Sequence, residues 1–74
     1  MTSPEDIRHS IEAALPGARV EVADTTGAGD HFEVSVVAPA FEGRTLVEQH
    51  QLVYGALREL MSRIHALALR TAVP

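Results

Sequence analysis

The sequence predicts an α+β fold, α-β-β-α-β in chain order, in which a three-stranded mixed sheet carries both helices on one face. Three observations lead there. Two runs, "ARVEVAD" and "HFEVSVVA", alternate apolar and polar residues, the period of a half-buried strand. Two capping signatures, one at Ser3 and one at Thr45, open segments whose apolar residues recur at helical spacing. The second alternating run reaches the closing run "HALALRT" only through the second of those segments, so these two strands should be parallel, joined by a right-handed crossover.

Ser3 reads as the N-cap of the first helix, Pro4 as its first helical residue, and Glu5 and Asp6 as acids beside the positive end of the helix dipole. Ile7, Ile11, Ala14 and Leu15 then form a narrow apolar stripe until "LPG" stops it. In the first strand Val20 and Val22 share one face and Arg19 and Glu21 the other. "TTGAGD" supplies the glycines and small polar residues of a reversal longer than a minimal hairpin turn. The second strand sends Phe32, Val34 and Val36 inward, which leaves Arg19, Glu21, Glu33 and Ser35 on a solvent face.

"PAFEGRT" is an irregular connection, and Thr45 with Glu48 three residues later forms a capping box. From about Leu46 to Ser62, an arc of Leu46, Val47, Val53, Tyr54, Leu57, Leu60 and Met61 predicts one amphipathic helix facing the sheet. Strand three follows.

Composition sets limits on function. A chain of 74 residues, 46% hydrophobic and 22% charged, makes a single globular domain over 1–74 with a thin core. The net charge is −4 and the six cations, all arginine, are scattered from Arg8 to Arg70, a poor field for general phosphate binding. There is no cysteine, hence no disulfide framework and no thiolate metal site supplied by this chain alone. "MTSPEDIRHS" is polar and acidic where a secretory leader would be basic and then apolar, and no apolar run approaches the ~20 residues of a membrane span. A cytoplasmic protein without a membrane partner is expected.

Four histidines are the side chains suited to metal or proton chemistry. His9 lies off the apolar stripe of the first helix, among charged neighbours. His50 falls within the arc of the second helix and should point toward the sheet as a core histidine bonded to a backbone group. His31 begins the second strand with parity opposite to Phe32, so it should be at least half exposed, and loop-edge polarity accounts for it as well as ligation does. His65 stands at the entrance of the third strand, where a β-branched or aliphatic residue would serve packing better. Spacing alone leaves His65 open between packing and use. No serine has a histidine placed as its base, and Asp24 and Asp30 flank the loop without a pocket, so catalysis is not expected. Gly27 and Gly29 make a G-x-G without lysine or a following helix, too little for a phosphate cradle.

The segment "DHFEVSVVAPAFEGRTLVEQHQLVYGALRELMSRIHALALRT" resembles the BolA family. The matching pieces are Asp30, His31 and Phe32, then "VV", then Phe41 and Gly43 of "F-x-G". Gln49, His50 and Gln51, then Val53 and Tyr54, and the terminal "IHAL" at Ile64 to Leu67 complete the series. The resemblance implies a class II KH-like fold. It also implies a partner, a monothiol glutaredoxin of the CGFS type, in a heterodimer bridged by a 2Fe-2S cluster. A weak homodimer is a further assembly open to such a chain. The histidine of "IHAL" is the family's cluster ligand and corresponds to His65.

The composition agrees with that implication. A cluster of this kind takes four protein-side ligands, mostly thiolates, though imidazole can replace thiolate. A chain without cysteine can lend imidazole nitrogens only, the thiolates coming from the glutaredoxin and from glutathione, so the isolated chain is expected to hold no cluster. Imidazole ligates in its neutral form, so binding should weaken as pH falls through the histidine range, near ~6.5. The loop position where relatives often carry cysteine falls on Ala28, which cannot ligate. Three readings follow: His31 ligates from the end of the loop, the fourth position goes to a group outside this chain, or the cluster is labile. His31 is the one expected, with Asp30 placed to accept a hydrogen bond from its ring. Phe41, Gly43, Arg44 and the exposed side of the second helix are expected on the docking face.

The expected function is thus an adaptor in iron-sulfur trafficking or iron sensing. The rival class is a nucleic-acid-binding transcriptional regulator, which a KH-like fold would also serve. The chain has no GXXG loop, and "FEGRT" offers a single glycine and a single arginine.

Overall fold

The computed structural model describes residues 2–74. Its elements are α1 (Pro4–Ala14), β1 (Arg19–Asp24), β2 (His31–Val37), a 3-10 turn (Pro39–Phe41), α2 (Leu46–Ala56), a second 3-10 turn (Met61–Arg63) and β3 (Ala66–Ala72). The sheet runs β1-β2-β3. β1 and β2 are antiparallel, from Arg19 opposite Val37 to Asp24 opposite Phe32. β2 and β3 are parallel, from His31 opposite Ala66 to Val37 opposite Ala72. The predicted α-β-β-α-β order and mixed sheet are therefore those observed.

One apolar cluster joins the layers. Ile7, Ile11 and Leu15 from α1 and its end, Val20, Phe32, Val34 and Val36 from the sheet, and Val53, Leu57 and Ile64 from α2 and the segment after it are all buried together. Because the buried sheet residues share one parity, both helices lie on that face, and Arg19, Glu21, Glu33 and Ser35 are exposed on the other. Hiding each such aliphatic or aromatic side chain contributes roughly 1.5–3 kcal/mol against the cost of ordering the chain.

Both helices begin as their sequences predict. Ser3 and Thr45 each accept from the backbone N–H three residues on, while Asp6 and Glu48 reach back to the N–H of the capping residue. Four of the donors that a helix start leaves without intrahelical partners are thereby satisfied across the two helices.

The second helix is shorter than its apolar period suggests. α2 stops at Ala56 rather than near Ser62, just after Gly55, a weak helix former. From there the backbone tightens: the Arg58 N–H donates to the Gly55 carbonyl, Leu60 to Leu57, and Arg63 to Leu60, all three residues back. The tighter winding brings Ile64 into the core and delivers His65 to the start of β3.

The apolar arc is also rotated from its predicted setting. Leu46 and Val47 are 62% and 66% exposed and Tyr54 is 39% exposed. They lie on the flank of a helix whose buried stripe runs through Leu52, Val53, Ala56 and Leu57. Leu46 and Val47 occupy the first turn, which the capping box holds without help from packing. His50 is half buried rather than a core residue, its ring edge-on to Tyr54 at a centroid distance of 6.5 Å.

Phe41 is a larger correction. The sequence places it on a docking face, but it is 0% exposed and belongs to the core. The 3-10 turn donates the Phe41 N–H to the Ala38 carbonyl, and this turns the ring inward beside the equally buried Ala38. Gly43 and Arg44, two and three residues on, remain exposed. Gly43 has φ +74, a conformation that glycine adopts without strain, and the turn closes with the Arg44 N–H on the Phe41 carbonyl.

Candidate functional site

The parallel pairing of β2 with β3 sets the first residues of both strands side by side. His31 opens β2 opposite Ala66, so His65, one residue earlier, stands beside the His31 ring. The two rings meet edge to face with centroids 5.0 Å apart and planes 63° apart. His65 is exposed, and the His31 side chain keeps 36% of its surface. Both predicted ligands are thus together, and both can be reached from outside the chain.

The backbone fixes this meeting. The Asp30 carbonyl accepts from the His65 N–H at 2.8 Å and from the Ala66 N–H at 3.0 Å, joining the loop end to the start of β3. The Asp30 side chain accepts from His31 Nδ1–H at 2.9 Å, since an ionised carboxylate can only accept. A second donor, the Thr26 hydroxyl, reaches the same carboxylate oxygen at 3.1 Å. These two bonds, that of His31 foremost, hold the Asp30 carboxyl below the usual carboxylate range. The anticipated role of Asp30 as acceptor for the ring is therefore present in the structure.

The loop itself is stitched to Asp24. Its carboxylate accepts from the N–H groups of Thr26, Gly27 and Gly29 at 3.2, 2.9 and 3.0 Å. Gly27 and Gly29 adopt φ +78 and +76, which lets their amides converge on one carboxylate. The donors that would cradle a phosphate are consequently occupied by the chain's own anion. Ala28 is exposed at the loop tip, its N–H donating to the Thr26 hydroxyl. Sequence reasoning passed over Asp24 and Thr26 as organisers of the site. The aspartate two residues ahead of a threonine and followed by glycines was the available signal, that of an Asx-type turn.

Chemically the corner offers imidazole nitrogen and nothing softer. With His31 Nδ1 engaged by Asp30, its Nε2 carries the free lone pair. Among the described residues no three His, Asp or Glu side chains converge as a ready-made metal cage. What the corner presents is a pair of imidazole rings that can be reached from outside the chain. Of the other predicted site residues, Gly43 and Arg44 are exposed in the loop before α2, while Phe41 is enclosed. Near Arg44, Gln49 joins two segments: its amide donates to the Arg44 carbonyl at 3.1 Å and its oxygen accepts from the Thr71 hydroxyl at 2.7 Å.

Residues 7–74 match the family described as BolA-like protein. Protein BOLA2 of Arabidopsis thaliana is 41% identical over 73 residues, covering 97% of this chain and 78% of that protein. BolA-like protein 2 of Homo sapiens is 38% identical over 74 residues, covering 97% of this chain and 86% of that one. Among solved structures, a BolA protein homologue from Coxiella burnetii superposes with a TM-score of 0.83 at 42% identity, covering 100% of this chain and 94% of that one.

Proposed function

The chain belongs to the BolA-like family, and from that premise we propose that it is a non-enzymatic adaptor. It pairs with a monothiol glutaredoxin of the CGFS type and shares a 2Fe-2S cluster with it, in iron-sulfur trafficking or iron sensing. The observation that carries the reading is the exposed contact between His31 and His65 at one corner of the sheet. Their donor chemistry fits one side of such a cluster: neutral imidazole accepts iron, and the cysteine-free chain leaves the thiolate share to the glutaredoxin and glutathione.

In this reading the chain's own residues hold and orient. His65 is the principal ligand and His31 the second, presented by its Nε2. Gly43 and Arg44 contribute to the face that meets the partner. When bound, the cluster supplies electron storage and iron-sulfur cargo. The protein supplies position.

The test is reconstitution with a CGFS glutaredoxin, iron, sulfide and glutathione, followed by iron quantitation and visible absorbance. A coloured heterodimer is expected, its iron content reduced in His65→Ala and His31→Ala. A complex whose iron and spectrum are indifferent to both substitutions would overturn the reading. So would tight binding of labelled single-stranded DNA at physiological salt with no iron retained.

A further inference from the structure

We propose that Asp30 is the positioning residue for the pair: its side chain decides which nitrogen His31 offers, and its main-chain carbonyl decides where His65 stands. The inference rests on the reading of His31 and His65 as ligands and deepens it. It assigns a role to a residue that touches no iron.

The side-chain part follows from hydrogen-bond direction. His31 Nδ1 lies 2.9 Å from Asp30 Oδ1, so the ring proton is on Nδ1 and the Nε2 lone pair is free. A histidine without such a partner carries its proton mainly on Nε2, the wrong tautomer for ligation through that atom. Thr26 keeps the carboxylate from swinging away by donating to the same oxygen at 3.1 Å, while its own hydroxyl accepts from the Ala28 N–H at 3.2 Å. Asp24, gripping Thr26, Gly27 and Gly29 through their amides, holds the loop in the shape that delivers Thr26 to Asp30.

The main-chain part is independent of the side chain. One carbonyl oxygen takes both the His65 and Ala66 N–H groups, so the start of β3 is tied to the residue immediately before His31. With the two backbones tied there, the rings stand 5.0 Å apart. The acceptor is a main-chain carbonyl, which every residue type carries, so Asp30→Ala should remove the tautomer control while leaving His65 in place.

Two measurements decide the matter. Long-range nitrogen-proton correlation NMR on the isolated chain at about pH 8, above the ordinary imidazole range, reads the tautomers directly. Visible circular dichroism of the reconstituted glutaredoxin complex reads the cluster environment. The wild type should show His31 protonated on Nδ1, Asp30→Ala should move most of that population to Nε2–H with His65 unchanged, and Asp30→Asn, which keeps an acceptor oxygen, should restore Nδ1–H. The cluster bands should shift in Asp30→Ala and return toward wild type in Asp30→Asn. An unmoved tautomer, or Asp30→Ala bands that coincide with the wild type, would overturn the proposal. A wild-type complex with the glutaredoxin that takes up no cluster would instead defeat the ligand reading, while the NMR result still decides whether Asp30 controls His31.

Discussion

The rings of His31 and His65 touch edge to face at 5.0 Å, a contact made by strand pairing and not by sequence proximity. Side chains in contact respond to substitution as a unit, whereas distant ones respond additively. For the proposed cluster site this gives a specific expectation. His65→Ala should lower cluster retention by at least ~10-fold, since even losing the hydrogen-bond partner of a ligand costs about 10–100-fold. His31→Ala should cost less, and the double variant should fall little below His65→Ala alone. Iron and sulfide bound per complex, measured across the four proteins, check this; losses that simply multiply would mean two independent residues.

Phe41 and Arg44 lie three residues apart and should behave in opposite ways. Phe41 is 0% exposed, and emptying such a site in a core costs about 3–5 kcal/mol, a large share of what holds a small domain together. Phe41→Ala should therefore lower the urea midpoint sharply. Arg44 is exposed, its backbone N–H bonded to the Phe41 carbonyl and its carbonyl to the Gln49 amide. Arg44→Ala should shift stability by no more than about 0.5 kcal/mol while weakening glutaredoxin affinity in calorimetric titration. Full affinity in Arg44→Ala would remove it from the docking face.

The capping boxes give the chain an acid-sensitive component. The backbone bond from Ser3 to Asp6 and that from Thr45 to Glu48 are the chief causes that hold both carboxyls below their usual range. A carboxyl whose pKa is depressed by folding contributes stability that is full above its unfolded value, near ~4, and is lost as pH falls through the folded value. The urea midpoint should accordingly decline as pH drops below about 5 and continue to decline below about 4. Asp6→Asn combined with Glu48→Gln should lower the midpoint at neutral pH and flatten that decline. An unchanged acid slope in the double variant would place the sensitivity elsewhere.

Local chemistry made much of this molecule legible in its sequence. Ser3, Pro4 and Asp6 specify a helix start because each satisfies or avoids an unpaired amide, and alternation at Phe32, Val34 and Val36 specifies which sheet face is covered. The parallel pairing of β2 and β3 followed from the helix between them, and with it the approach of His31 to His65 was within reach. What escaped is information held by the third dimension. Phe41 sits in a segment with no period, so nothing local says that its ring turns inward. Asp24, Thr26 and Asp30 act together only once the loop closes. The end of α2 escaped because turns wound three residues at a time place Leu57, Leu60 and Ile64 much as a helical wheel does over so short a span.

The corrected setting of α2 makes the last prediction. If the apolar arc faced the sheet as its period suggests, Leu46 and Val47 would be core residues, and cutting either back would cost kilocalories. The structure puts them on the first turn, mostly exposed, and gives the burial to Val53 and Leu57, both 0% exposed. Leu46→Ala and Val47→Ala should each stay within about 0.5 kcal/mol of the parent, as surface changes do. Leu57→Ala should cost about 2–5 kcal/mol through lost burial and the cavity it leaves. Urea unfolding of the three variants distinguishes the two settings, because a helix seated as the periodicity implies would reverse the cost at Leu46. The contrast at Leu46 and Leu57 is the sharper one, because the same side chain is removed from two turns of the same segment and only its surroundings differ.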